Sequence, residues 1–154
     1  MRSAYGSVVG GIAAGLAMSV AMEAGRRNGW LHKTLAEDAG DWLDRTLETR
    51  THIGQGGTTA LEQTTHLLAS AGFGLAYSVL RNRFPHISGI GLGAAYGAAL
   101  YVINIAGIAP VLGMTEGEYN ASNAVRKERL GMHLLYGALT GFVADLVSDP
   151  ESEE

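Results

Sequence analysis

A stretch without a single charged residue runs from residue 87 to residue 114 and reads ISGIGLGAAYGAALYVINIAGIAPVLGM. An α-helix rises about 1.5 Å per residue, so about 20 residues cross the hydrocarbon core of a bilayer. Long helices of soluble proteins normally carry a polar face that repeats every 3.6 residues, and this stretch has none. The pattern predicts a helix that spans a membrane.

Three more segments share this character. No charged residue lies within residues 3–22, and none lies within residues 63–80 or 130–144 when the histidines are neutral. The sequence therefore predicts an all-α fold, a four-helix transmembrane bundle that forms one membrane domain over residues 1–154. The predicted helices span residues 4–24, 59–83, 88–108 and 130–147.

The segment between the first two predicted spans is polar but regular. Its large apolar residues recur at helical spacing, and acidic residues occupy the opposite face: Trp30, Leu31, Leu35, Trp42, Leu43 and Leu47 form the apolar side. Residues 30–48 are predicted to form an additional amphipathic helix, either at the membrane interface or covering the bundle or a partner. The acidic tail, residues 149–154, is predicted to be solvated.

Composition excludes several classes of function. The 154 residues include no cysteine, which excludes disulfides, thiolate metal sites and cysteine nucleophiles. The net charge is −4 and there is no basic tract, so no nucleic-acid partner is expected. No serine has a general base and an orienting acid at a spacing that suggests a catalytic triad, so hydrolase chemistry is unsupported. The sequence favours a protein without enzymatic activity.

Small residues recur four positions apart in the predicted spans, as in Gly6/Gly10, Gly11/Gly15 and Gly137/Gly141. In lipid, such pairs let helix backbones pack closely and mark contact faces. They favour a structural or accessory membrane protein that forms a homo-oligomer or joins other membrane subunits.

From Thr65 onward, a set of short motifs lies along the predicted helices and turns: Thr65-His66, Phe84-Pro85, Gly113-Met114-Thr115, Gly131 and His133. In these residues the sequence resembles the YagU-like family of bacterial inner-membrane proteins, whose function is unknown. The resemblance implies a compact, multi-pass four-helix fold in the bacterial inner (cytoplasmic) membrane, and no established chemistry. It implies that the termini face inward, whereas the lysine and arginine distribution places the long loops inside, so the orientation stays open.

Five polar residues are predicted to lie at one membrane depth, beside the long loops: Glu23, Glu62, His66, Asn104 and His133. Polar groups at such a depth usually point into the bundle and are paired. The simplest interpretation is an interhelical hydrogen-bond network that includes Asn104, with no cofactor.

Three other interpretations of these residues remain open. Glu23, Glu62, His66 and His133 offer ligands that a divalent metal accepts. His66 and His133 on facing helices are a candidate pair of axial haem ligands. The third alternative is a proton- or small-solute-transporting oligomer with Glu23 in its pathway.

Overall fold

The computed structural model describes residues 2–31 and 35–148, and all regular structure within these ranges is helical. The five helices are α1 (Arg2–Arg27), α2 (Leu35–Leu47), α3 (Thr49–Arg83), α4 (Gly89–Val111) and α5 (Asn123–Ser148). Helix α4 is α-helical over Gly89–Leu100, π-helical over Tyr101–Ile108, and α-helical again over Ala109–Val111. The predicted acidic tail and residues 32–34 of the predicted amphipathic segment lie outside the described residues.

Three helices are long and apolar enough to cross a membrane. They are Ala4–Arg27 within α1, Gly89–Val111, and Asn123–Ser148, with mean hydropathies of 1.5, 1.6 and 1.4. The predicted all-helical architecture with membrane-length apolar helices is confirmed at this level. Helix α3 is not among the three, because polar residues such as Glu62, Gln63 and His66 interrupt its first half.

Helix α3 begins at Thr49, well before the predicted start near residue 59. Glu48 adopts a left-handed backbone conformation with φ of 49°, which turns the chain directly from α2 into α3. Asp44 holds this turn, because its side chain accepts hydrogen bonds from the Thr49 hydroxyl at 3.2 Å and the Arg50 amide at 2.8 Å. Only Gly54 interrupts the helix, with φ of 68°, because its missing Cβ permits that conformation.

Helix α5 packs against both α1 and α4, and α1 also packs against α3. Glycines lie at each of these interfaces. A Cβ on Gly11 would lie 2.8 Å from the Gly74 Cα, and a Cβ on Gly10 would meet the Thr140 carbonyl. Gly93 and Gly137 face each other's backbone in the same way. The predicted small-residue contact faces are therefore present, and they join helices of the same chain.

Helices α3 and α4 touch little, and tyrosines fill the wider space around them. The Tyr77 hydroxyl donates to the Gly89 carbonyl at 3.2 Å, and the Tyr96 hydroxyl donates to the Phe73 carbonyl at 2.7 Å. The Tyr136 hydroxyl donates to the Ser70 carbonyl at 2.7 Å. Each tyrosine contributes apolar bulk and ends in a satisfied hydrogen bond, as buried tyrosines generally do.

The outer surface is apolar while much of the interior is small or polar. Leu68, Val79 and Leu146 are each at least 60% exposed, whereas Ser7 and Thr140 are fully buried. Exposed apolar surface on this scale is unfavourable in water and is favourable in contact with lipid tails.

The glycine contacts predict unequal effects of two alanine substitutions on α5. Gly137→Ala places a methyl group against the Gly93 carbonyl, and we expect it to destabilise the protein by about 1–3 kcal/mol, as overpacking does. Gly131→Ala is the matched control, since nothing lies within 4 Å of its Cβ position. Thermal unfolding in a mild detergent, followed by circular dichroism, measures both. Equal melting temperatures for the two variants would contradict the packing described here.

Candidate functional site

A cavity of about 340 Å³ lies at the end of the bundle where the long connections are. Glu62 and His66 reach it from α3, Asn104 from α4 and His133 from α5. The antiparallel packing of the helices brings these four residues to one level. Four of the five polar residues predicted to share a depth therefore meet around one space.

Glu23, the fifth predicted residue, does not line this cavity. Its carboxylate is 2.8 Å from the Arg26 guanidinium and 2.6 Å from the Arg27 guanidinium, and all three side chains are substantially exposed. These i, i+3 and i, i+4 pairs belong to the end of α1 itself. The structure thus separates Glu23 from Glu62, His66 and His133.

Both cavity histidines use one ring nitrogen in a hydrogen bond to a backbone carbonyl. His66 Nε2 lies 3.2 Å from the Gly15 oxygen of α1, and His133 Nδ1 lies 2.8 Å from the Arg129 oxygen one turn earlier in α5. A carbonyl oxygen only accepts, so each of these nitrogens carries the proton. In a neutral His133 the lone pair is then on Nε2. The hydrogen bond of His66 to Gly15 joins α3 to α1.

These bonds bear on the predicted cofactors. A haem iron ligated through His66 Nε2 would require that nitrogen to leave Gly15 and lose its proton. Within residues 2–31 and 35–148, no group of three or more His, Asp or Glu side chains is arranged to hold a metal ion. The four predicted metal ligands are therefore not gathered as a set, and the interhelical hydrogen-bond interpretation fits His66 best.

The wall that α4 contributes is π-helical. Residues Tyr101–Ile108 form this segment, and the Ala109 amide donates to the Asn104 carbonyl five residues earlier. The wider winding brings Asn104, Ile105 and Ile108 to the cavity. Such π-helical turns are frequent at functional sites. The sequence signal for it is Pro110, which has no amide hydrogen to donate to the carbonyl four residues before it.

Helix α2 closes the outer end of the cavity. Ala39, Gly40 and Leu43 line it, and the absence of a side chain at Gly40 leaves room for Glu62. The Trp42 indole donates to the Leu112 carbonyl at 2.8 Å, which attaches α2 to the end of α4. Of the roles predicted for this amphipathic segment, covering the bundle is the one seen here.

A buried ion network fastens this cover. The Arg129 guanidinium is 3.0 Å from Asp38 of α2 and 2.7 Å from Glu118 of the loop before α5. All three side chains are only 10–13% exposed. The Tyr101 hydroxyl also donates to Glu118 at 2.6 Å. Sequence reasoning missed this network, because its members are as many as 91 residues apart and only their opposite charges relate them.

The lining is mostly apolar, with Met18, Phe73, Leu100, Ile105 and Met132 among its residues. A few polar groups converge on it from different helices. This combination of apolar walls, few polar groups and a volume of several hundred Å³ is typical of small-molecule binding sites.

The ion network predicts a large and specific stability loss. We expect Arg129→Gln to lower the free energy of unfolding by about 3 kcal/mol, because two buried carboxylates lose their common cation. Lys127→Gln, at an exposed position on the same turn, serves as the charge-matched control with little effect. Thermal unfolding in detergent gives both values. A loss in Arg129→Gln no larger than in the control would show that the network does not fasten α2.

Comparison of the chain with protein-family models, with curated proteins and with solved structures found no match. The YagU-like resemblance of Thr65-His66 and the other residues quoted above stays a prediction.

Proposed function

We propose that this chain is a multi-pass membrane protein that binds a small, largely apolar molecule in the cavity beneath α2. The observation that carries the proposal is the convergence of Glu62, His66, Asn104 and His133 on one mostly apolar space. A folded core normally fills such a volume, because interiors pack densely. This cavity stays open beside the π-helical segment of α4 and is covered by α2, and such an arrangement favours a role in ligand binding.

In this proposal α3 crosses the membrane as the fourth span of the bundle. The support is its contact with α1, because Gly74 lies against Ser7 and Gly11, and Ser70 against Gly11 and Gly15. Leu68 and Val79 extend from its outer face, as side chains in contact with lipid would. Glu62, Gln63 and His66 of its first half line the cavity, which is how polar groups within a membrane are usually accommodated.

The location in the bacterial inner membrane and an interfacial position for α2 belong to the same proposal. Trp30 and Leu47 are more than half exposed at the two ends of the α2 region. Tryptophan and leucine at such positions suit the headgroup level of a bilayer. This arrangement would place the cavity near the membrane surface, within reach of molecules dissolved in lipid.

An accessory role, through self-association or other membrane subunits, remains the alternative that the sequence favoured. The glycine pairs on which it rested contact helices of the same chain. The outward face of α3 around Gly72, where no atom lies within 4 Å of the Cβ position, is open to a second molecule. We rank this role second because it gives the cavity no purpose.

The proposed function is tested by filling the cavity. The probe is 1-adamantanol, a compact uncharged molecule, measured by equilibrium dialysis against the purified protein in detergent and against protein-free micelles. We expect saturable binding that Ala109→Phe weakens at least about tenfold, because Ala109 is buried in the cavity wall.

Ala106→Phe is the matched control, since Ala106 lies in the same region of α4 but is exposed and outside the lining. It should leave binding unchanged. Equal loss in both variants would overturn the proposal, and so would wild-type protein that takes up no more of this probe, or of its charged analogues, than the micelles do.

A further inference from the structure

One carboxylate of the cavity has no partner among the residues that the structure describes. Glu62 is half-buried in the cavity wall beneath Gly40, and it makes no hydrogen bond or ion pair with any residue in the described parts of the chain. An ionised carboxylate held against apolar surface is costly unless an opposite charge or hydrogen-bond donors compensate it. The site is therefore electrostatically incomplete at Glu62.

The positive charge that lines the cavity is already compensated. Arg129 is bound on both sides by Asp38 and Glu118, so this cluster of three side chains carries an excess of negative charge. Glu128 also lines the cavity and interacts with other groups. Although the buried Nε of Arg129 has no hydrogen-bond partner, the charge of this side chain is more than balanced by its two carboxylates. The charge balance of the cavity therefore favours a cation.

The uncharged polar side chains of the cavity favour a ligand that donates hydrogen bonds. The Asn104 side chain offers a carbonyl oxygen, and neutral His133 offers the Nε2 lone pair, because its Nδ1 hydrogen is given to Arg129. An ammonium group has up to three hydrogens to donate. Glu62, Asn104 and His133 each offer an acceptor to the cavity, and they come from three different helices.

We infer that the cavity takes a compact lipophilic amine, with its ammonium group against Glu62 and its apolar body among residues such as Phe73, Leu100 and Ile105. This inference rests on the proposed function and adds the class of ligand. The cavity volume of about 340 Å³ is near the small end of the range for ligand sites, which favours a short, bulky molecule over a long-chain lipid.

Three probes with one apolar body test the charge: 1-adamantylamine, 1-adamantanol and 1-adamantanecarboxylate. Equilibrium dialysis at pH 7 against the wild-type protein, with protein-free micelles as blank, gives the three dissociation constants. We expect the amine to bind at least about tenfold more tightly than the alcohol, and the carboxylate to bind most weakly. This comparison in the wild-type chain does not depend on any variant folding.

Glu62→Gln then assigns the preference to one residue. In this variant we expect the dissociation constants of the amine and the alcohol to differ by no more than about twofold. Saturable binding of the alcohol should be retained. Glu23→Gln removes a carboxylate at the same end of the bundle but outside the cavity, and should leave the tenfold preference intact.

The outcomes separate this inference from the proposed function. If the alcohol or the carboxylate binds as tightly as the amine, the cavity binds ligands but the amine assignment is overturned. A preference that persists in Glu62→Gln also overturns it. If none of the three probes shows saturable binding, both the inference and the proposed function are overturned.

Discussion

Contact between helix backbones at glycine is the constraint on which this structure depends. Gly10 and Gly11 of α1 face different neighbours, α5 and α3, so α1 is held closely on two sides. Gly93 of α4 and Gly137 of α5 make the third close interface. In a bilayer, burial of apolar surface does not draw helices together, and close packing of this kind is the principal source of association. These contacts fix which residues of the four long helices share a level.

The same contacts explain why the bundle has a space at one end. Glycines bring α5 close to α1 and α4, while α3 and α4 have no such interface and are joined through tyrosine side chains. Toward the long connections the separation stays open as the cavity, and α2 covers it. The cavity is thus a consequence of where small and large residues lie along the helices, and Glu62, His66, Asn104 and His133 lie at that level.

Much of this was predictable from the sequence. The uncharged stretches predicted the long helices, and the shared depth of Glu62, His66, Asn104 and His133 followed from the antiparallel order. The depth of a residue in the membrane does not determine which face of its helix it occupies. The sequence therefore predicts Glu23 beside Glu62, His66 and His133, although it lies outside their cavity. Its arginine neighbours at i+3 and i+4 were the local signal that it would be paired on its own helix.

Other features had no local signal. The network of Arg129 with Asp38 and Glu118 depends on α2 folding back over the cavity, and the tertiary arrangement alone determines that. The direct turn at Glu48 requires a left-handed conformation in a residue that rarely adopts it, so the sequence does not predict that α3 begins at Thr49. The uncharged stretch of residues 63–80 predicts helix α3, but the helix is less apolar than the three that could cross a membrane by composition, and its close contact with α1 became visible only in the structure.

We propose that close contact at glycine holds α3 beside α1 as it crosses the membrane. Because the chain has no cysteine, single cysteines at exposed positions report directly on the side each segment faces. The decisive measurement is labelling of Thr46→Cys, His86→Cys and Asn120→Cys with a membrane-impermeant maleimide in intact and in permeabilised cells. We expect positions 46 and 120 to be labelled together and position 86 to show the opposite accessibility. If position 86 shared the accessibility of position 46, α3 would not cross the membrane, and a bundle of four spans would be excluded.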